Sequence, residues 1–443
     1  MSESKQRRSA LGVSRRGFLR ASAAGAGAAA ALSLARGAHA AGSDILRVGL
    51  IGCGGRGAGA AVNALTAEPG TRLVALADAF PEAVAGALER IKQAVPERGQ
   101  QIAVGRERCF AGFDAYQKLI ASGVDVVLLA TPSHFHPIHM KAGIEAGKHV
   151  FCEKPHAVDA PGVRTVLAVA EEARRKNLSL VSGLCARYNL GYRETVRRIL
   201  DGAIGDIIAI QESYLAGASF HVPRKPTFTE MEFQLRNWHR FAWLSGDWTG
   251  LMLIHGLDRA AWVLRDEPPR RAWGLGGKSG HPAGSFGDTF DFHAVVFEYA
   301  SGVRMFAYTR QDAGGAFNEV SDWILGAKGR ANIDAMRIEV PGKSPWRYSG
   351  PMTSMYDVEM QEMLSGIRAG RPLNNGTYMA RSTMLAVMAR AVTYTGQAVS
   401  WNDMMQSEEK LAPARYAFDA DPPILPDKNG RYPAPIPGLT RFS

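Results

Sequence analysis

The stretch from Ile45 to Gly57, ILRVGLIGCGGRG, restricts what this chain can fold into more than any other. A β-branched and aliphatic run, Ile45 to Ile51, leads straight into Gly52-x-Gly54-Gly55-x-Gly57, and an alanine-rich helical pattern, Ala58 to Leu65, follows at once. Strand, glycine turn and helix in that order leave the backbone N–H groups of a helix start facing outward, where phosphates can meet them. Each glycine has its own reason: Gly52 for a turn of unusual φ, Gly54 for close approach of backbone to a pyrophosphate, Gly57 for close packing of helix on strand. In a chain with 48 glycines the same pattern also suits an ordinary loop, so its surroundings must decide.

They point to a dinucleotide. A second strand-like run, Thr71 to Ala77, ends in Asp78, about twenty residues beyond the glycine turn, where a carboxylate accepts hydrogen bonds from the adenosine ribose hydroxyls. Ala79 follows in place of an arginine that would meet a 2′-phosphate, which favours NAD over NADP. Residues 82–94 and Phe113 to Ala121 read as helices, and Val124 to Ala130 as a strand covered on both faces. Its carboxyl end opens into Thr131-Pro132-Ser133-His134-Phe135-His136, which puts these residues near a cofactor. Lys148 to Cys152 then feeds Glu153-Lys154-Pro155.

The glycine turn, the strand-end Asp78, ATPSHFHPIH at 130–139 and GKHVFCEKP at 147–155 together resemble the Gfo/Idh/MocA family, which includes glucose-fructose oxidoreductase and inositol dehydrogenase. The resemblance covers nearly all of residues 44–438 and is most specific from Ala130 to Pro155. It implies an α/β protein: an N-terminal Rossmann domain at 44–186, then an α+β domain at 187–443 with a large, mainly antiparallel open sheet. It also implies NAD contacts from Gly52, Gly54, Gly55, Arg56, Gly57, Asp78, Thr131, Pro132, His134, His136, Glu153 and Lys154, and catalysis by Lys154 with His255. A lysine held beside a cofactor and partly desolvated loses basicity, so it can take the alcohol proton as hydride leaves. Read without the resemblance, Lys154 fits a surface ion pair with Glu153 better than a catalytic role.

Beyond Ser179 to Leu184, the segment Cys185 to Asn189 resembles the family's crossing point to the substrate, which makes Arg187 and Tyr188 candidates for sugar hydroxyls. Alternation at Ile207 to Tyr214, Arg271 to Lys278, Thr289 to Tyr299 and Val303 to Gln311 predicts strands of a sheet that walls the site and joins copies of the chain into an oligomer. Arg236 and Trp238 are further substrate candidates, with Asp291, His293, Arg310 and Gln311 from the sheet; 291 and 293 share one strand face. One departure stands out: many relatives carry an Asp four residues before the active-site His, and here that position is Leu251. Metal ligation at His255 lacks partners at ligand spacing. Tyr356 to Ala369 and Tyr378 to Tyr394 read as helices, with the region near 376–396 packing back on the Rossmann domain, and Pro413 to Pro437 as an extended surface arm.

The first 40 residues read differently. Ser14-Arg15-Arg16-Gly17-Phe18-Leu19 follows a basic start and precedes an uncharged alanine-rich run, Ala21 to Ala35, with Ala38-His39-Ala40 for cleavage. This resembles a twin-arginine (Tat) signal peptide and implies export of a folded protein, periplasmic or secreted, by the Tat machinery. Its removal takes away seven Lys/Arg and one Asp/Glu, so the formal charge falls from +10 to about +4. The basic balance is therefore no argument for nucleic-acid binding. No apolar stretch of the mature chain is long enough to span a membrane. Cys53, Cys109, Cys152 and Cys185 stand singly and are expected as thiols.

Three functions remain open at this point: an NAD-dependent oxidoreductase on a sugar or cyclitol; an NAD-dependent glycoside hydrolase of the family 109 kind, with transient oxidation, elimination, water addition and re-reduction; and a non-catalytic exported sugar-binding protein that retains NAD. No carboxylate pair of an ordinary glycosidase is evident.

Overall fold

The computed structural model describes residues 45–216, 221–278, 287–311 and 315–441, so the leader read at residues 1–40 lies outside the described residues. Six strands form the first sheet: β1 (Leu46–Ile51), β2 (Thr71–Asp78), β3 (Cys109–Ala111), β4 (Val126–Leu129), β5 (His149–Cys152) and β6 (Leu180–Ser182). All neighbours are parallel, in the order β3-β2-β1-β4-β5-β6. Val126, Val127, Leu128 and Leu129 are fully buried, as strands with helices on both faces must be. The winding reverses between β1 and β4, and the crevice beyond their carboxyl ends is the ligand position of such sheets. Gly52 enters that crevice with φ +96°, where a Cβ would lie 2.4 Å from the carbonyl carbon of Ala130, just past β4.

Nine strands form the second sheet: β7 (Ile207–Leu215), β8 (Arg271–Gly277), β9 (Phe292–Glu298), β10 (Arg304–Arg310), β11 (Glu319–Gly326), β12 (Arg330–Asn332), β13 (Arg337–Glu339), β14 (Trp346–Arg347) and β15 (Val399–Ser400). Their order is β14-β13-β12-β11-β7-β10-β9-β8-β15, antiparallel throughout except for the parallel pair β7 and β10. A parallel pair needs a long crossover, and the chain between β7 and β8 supplies one, including the helix Ile254–Val263. That helix covers the inner sheet face, where Ile210, Val295, Met305, Ala307 and Ile324 are buried in one core with Leu257 and Ala260. Close approach is possible because residue 256 is glycine: a Cβ there would lie 2.5 Å from Glu212 Oε2.

The alternation-based strands are present, three of them shortened and one by four residues. Thr289 to Tyr299 reduces to Phe292–Glu298 because the preceding bend is tied to another segment, by Asp288 Oδ1 accepting the Ala242 N–H at 2.8 Å and Asp247 Oδ2 accepting the Phe290 N–H at 3.0 Å. The helix Gly376–Thr395 bridges the two sheets: Thr383 Oγ1 lies 3.0 Å from His156 Nδ1 on the first side, and Thr393 Oγ1 2.9 Å from His293 Nδ1 on the second. The C-terminal arm is docked rather than free, with the Tyr416 hydroxyl 2.7 Å from His134 Nε2 and Gln234 donating to the Ile424 carbonyl at 2.7 Å. All four cysteines are free thiols, and no helix among the described residues is long and apolar enough to cross a membrane.

Candidate active site

A cleft of ≈ 460 Å³ opens at the crevice between β1 and β4. Gly52, Gly54, Gly55, Arg56, Asp78, Thr131 and Pro132 line it, together with Phe80, Tyr116 and His139, which the sequence did not single out. The helix Gly55–Ala67 points its start into this space with no side chain capping it, so its first N–H groups are available to an anion. A Cβ at Gly54 or Gly55 would meet nothing within 4 Å, whereas one at Gly57 would lie 1.9 Å from the Gly52 carbonyl oxygen. The first two glycines thus keep a cradle open and the third lets the helix seat on the turn. Asp78 accepts the Cys53 N–H at 2.7 Å and the Phe80 N–H at 3.0 Å, which fixes its carboxylate at the cleft wall with lone pairs remaining for ribose hydroxyls. Burial raises its pKa, and these N–H donors oppose the rise. The uncapped helix start, the open cradle and the acceptor of Asp78 fit a dinucleotide; Gly54, Gly55, Arg56 and Asp78 would hold it.

Beyond the pyrophosphate position, the end of β5 presents Glu153 and Lys154. Arg56 Nε lies 2.7 Å from Glu153 Oε1, and the Arg56 guanidinium sits over the Tyr356 ring at 4.7 Å. The phosphate turn is thereby tied to the turn that carries Lys154. Burial raises the Glu153 pKa against the pull of Arg56 and Lys154. Lys154 Nζ donates to the main-chain carbonyl of Leu251, and burial lowers its pKa, with Glu153 opposing. Leu251 belongs to a π-helical turn, Thr249–Leu253, that runs directly into the helix bearing His255; widened turns of this kind often sit at functional sites. His255 is held neutral, its pKa well below the ordinary value, first by burial and then by the charges of Lys154 and Arg259. The charge of Lys154 therefore bears on His255 across the start of this helix. Glu359, one turn from Tyr356, is buried with neither carboxyl oxygen hydrogen-bonded, and burial raises its pKa well above the usual range.

Other sequence candidates are placed elsewhere. Arg187 is engaged by Asp258 at 2.9 Å and by Asp266, and stacks on Tyr378 at 4.0 Å; Tyr188 is buried with its hydroxyl on Asn375 Oδ1 at 2.8 Å. Both side chains bind the fold together rather than facing the cleft. His136 Nδ1 is 2.6 Å from the Pro155 carbonyl and His134 is covered by Tyr416, so each histidine supports the cleft wall from behind. Arg236 and Trp238 do line the cleft, but at its adenosine end: Arg236 reaches Glu82 at 2.7 Å and lies over the Phe80 ring at 4.0 Å. His293 faces Asp247 Oδ2 at 3.4 Å in a closed polar cluster. Arg310 donates to the Phe317 carbonyl at 2.5 Å, and Gln311 Nε2 to the Phe290 carbonyl at 2.9 Å. Asp291 is buried at the start of β9, where its carbonyl accepts the Gln311 N–H.

Comparison with known proteins agrees with this geometry. Residues 46–181 match the GFO_IDH_MocA family, an oxidoreductase family with an NAD-binding Rossmann fold. A glycosyl hydrolase family 109 protein of Bacteroides fragilis is 33% identical over 174 residues, 39% of this chain and 35% of that protein, so the match spans about a third of the relative's length. An inositol 2-dehydrogenase of Rhizobium meliloti is 27% identical over 295 residues, 66% of this chain and 76% of that protein. The aldose-aldose oxidoreductase of Caulobacter crescentus, solved with glycerol, superposes with a TM-score of 0.62 at 18% identity over 80% of this chain and 99% of its own. With its glycine turn, Asp78 and Glu153-Lys154-Pro155 set along one doubly wound sheet, residues 46–181 carry the NAD-binding Rossmann fold that matches the Gfo/Idh/MocA oxidoreductase family.

Proposed function

We propose that this protein is an exported NAD-dependent oxidoreductase that acts at a carbinol carbon of a sugar, cyclitol or glycoside and keeps its cofactor through each cycle. The observation that carries the reading is the convergence of Lys154 and His255 on the Leu251 turn, beside the dinucleotide cleft. Bound NAD supplies a hydride acceptor. Lys154, its basicity lowered by burial, takes the hydroxyl proton as the carbinol carbon becomes a carbonyl. His255, neutral, shares a hydrogen bond with the same or the neighbouring hydroxyl and orients it. Arg56, held between Glu153 and Tyr356, sets the distance from the phosphate turn to Lys154. The division into a nucleotide domain at 44–186 and a substrate domain at 187–443 is part of the same proposal.

The leader motif at Ser14–Leu19 supports export. An exported chain has no nicotinamide pool to reoxidise its cofactor, so a cycle that returns NAD to its starting state is favoured. Two kinds of chemistry satisfy this: oxidation of one sugar coupled to reduction of another, and transient oxidation within a glycosidase cycle. The likeness to a family 109 glycosyl hydrolase over 174 residues favours the second as the alternative reading. A second copy of this chain fits the outer face of the nine-stranded sheet, where register aligns Trp273, Val296, Phe306, Gln211 and Trp323 in one cross-strand row, with Leu275 beside it 64% exposed.

The test is Lys154→Ala assayed on a panel of sugars and glycosides in D₂O. The proposal expects a rate loss of about 10²–10⁴-fold with NAD binding retained. Deuterium incorporation beside the oxidised carbon with aglycone release selects the hydrolase reading; NADH accumulation without release selects the dehydrogenase. Full activity of the variant would refute both.

A further inference from the structure

Four residues ahead of Leu251, Asp247 is buried and adopts φ +70°, a left-handed conformation that strains a non-glycine residue and is retained where surroundings impose it. Those surroundings are specific. The Asp247 carboxylate accepts the N–H of Trp248, the N–H of Phe290 at 3.0 Å and the Tyr394 hydroxyl at 2.5 Å, and faces His293 Nε2 at 3.4 Å. Its own N–H donates to Ser245 Oγ at 3.0 Å. Elements from three parts of the chain thus grip one side chain: the bend before β9, β9 itself and the helix Gly376–Thr395. Burial opposes its charge, and His293 with the surrounding donors holds it ionised.

Trp248 follows, and then the π-helical turn Thr249–Leu253. A Cβ at Gly250 would lie 3.3 Å from Pro155 Cγ, so the turn is pressed against the Glu153-Lys154-Pro155 segment, where the Leu251 carbonyl accepts a hydrogen bond from Lys154 Nζ. We infer that Asp247 is a positioning residue for Lys154: by fixing the entry to the π-helical turn it aims the Leu251 carbonyl at the lysine, so that a main-chain acceptor serves where relatives place a carboxylate. This rests on the reading of Lys154 as the base. The groups that face Lys154 are Glu153, Cys185, Arg56, His255, His136 and His156, and those around Asp247 are His293, Tyr394, Asp288 and Lys278. Leu251 itself contributes no charge, so position 251 acts through its backbone alone.

The experiment uses the full mature chain and two variants, Asp247→Asn and Tyr394→Phe; the second removes one hydroxyl from the cluster and keeps the test decisive if the first fails to fold. Acylation of Lys154 by limiting acetic anhydride is followed by mass spectrometry below the unfolding midpoint, with exposed Lys118 as internal reference. The expected result is a rise of about fivefold or more in Lys154 acylation relative to Lys118, and a fall in kcat of about tenfold with NAD affinity unchanged. A lower melting temperature with Lys154 acylation and kcat both at wild-type values would overturn the inference, because a merely structural cluster gives that outcome. Should Lys154→Ala remain fully active, the catalytic reading falls, yet the acylation ratio still reports whether Asp247 positions the lysine.

Discussion

Two glycines three residues apart, Gly54 and Gly57, should respond to the same substitution in opposite ways. At Gly57 an added methyl would lie 1.9 Å from the Gly52 carbonyl oxygen and 3.3 Å from Ala130 Cβ. Both contacts involve the packed junction of β1, β4 and the helix Gly55–Ala67, so relief requires the helix to lift by about 1 Å or more, a strain of about 1–3 kcal/mol. At about 2–4 °C per kcal/mol, Gly57→Ala should lower the melting temperature of the nucleotide-free protein by roughly 2–12 °C. At Gly54 the methyl meets nothing within 4 Å, and φ −72° with ψ −175° is open to alanine. Gly54→Ala should therefore stay within about 1 kcal/mol of wild-type stability. Its methyl stands on the cradle where a pyrophosphate approaches, however, so NAD affinity should fall by about 1–3 kcal/mol, roughly 5- to 150-fold in Kd. Thermal melts and calorimetric titration with NAD separate the two. Gly54→Ala binding NAD like wild type, or Gly57→Ala melting with wild type, would contradict these roles of the two glycines.

Further outcomes follow from the same structure. Glu82→Gln removes the 2.7 Å ion pair with Arg236 that ties the second sheet's crossover to the adenosine end of the cleft; stopped-flow fluorescence should show NADH associating and dissociating faster together, whereas a slower on-rate would contradict a clasp. Phe306→Arg, at the centre of the outer row of the nine-stranded sheet, should lower the particle mass measured by light scattering without a large change in melting temperature. Burial holds His134, His136 and His149 neutral with pKa values of about 4, and His139 and His156 at about 3, against 6.5 when unfolded. Their contribution is complete above pH 6.5 and is lost as pH falls through about 4, so urea midpoints should decline steeply below pH 6 with uptake of more than one proton on unfolding; a flat profile from pH 7 to 4 would contradict this.

What the sequence disclosed was local. The glycine turn, Asp78 and the apolar runs of the first sheet state their geometry within a few residues, and alternation marked β7 to β10 for the same reason. The strands β11 to β14 and the π-helical turn carry no such signature, since partners far along the chain define them. The same distance explains the redirected side chains. Arg187 meets Asp258 and Asp266 more than seventy residues later, and His134 meets Tyr416 across a separation of 282 residues. A residue type suited to sugar recognition thus turned out to hold the fold, and its spacing gave no warning. Leu251 read as a missing carboxylate because only side chains are visible in sequence. The carbonyl that meets Lys154 was there at every residue, and only the turn aims it. For Asp247 one hint existed, the Ser-Gly-Asp-Trp run, whose glycine precedes a second left-handed residue.

Whether this cleft holds NAD as a resident cofactor is decided by denaturing the purified protein and identifying the nucleotide released. NAD or NADH should be released at close to one equivalent per chain, with little or no NADP. Protein purified folded, without nucleotide and unable to bind added NAD, would contradict it.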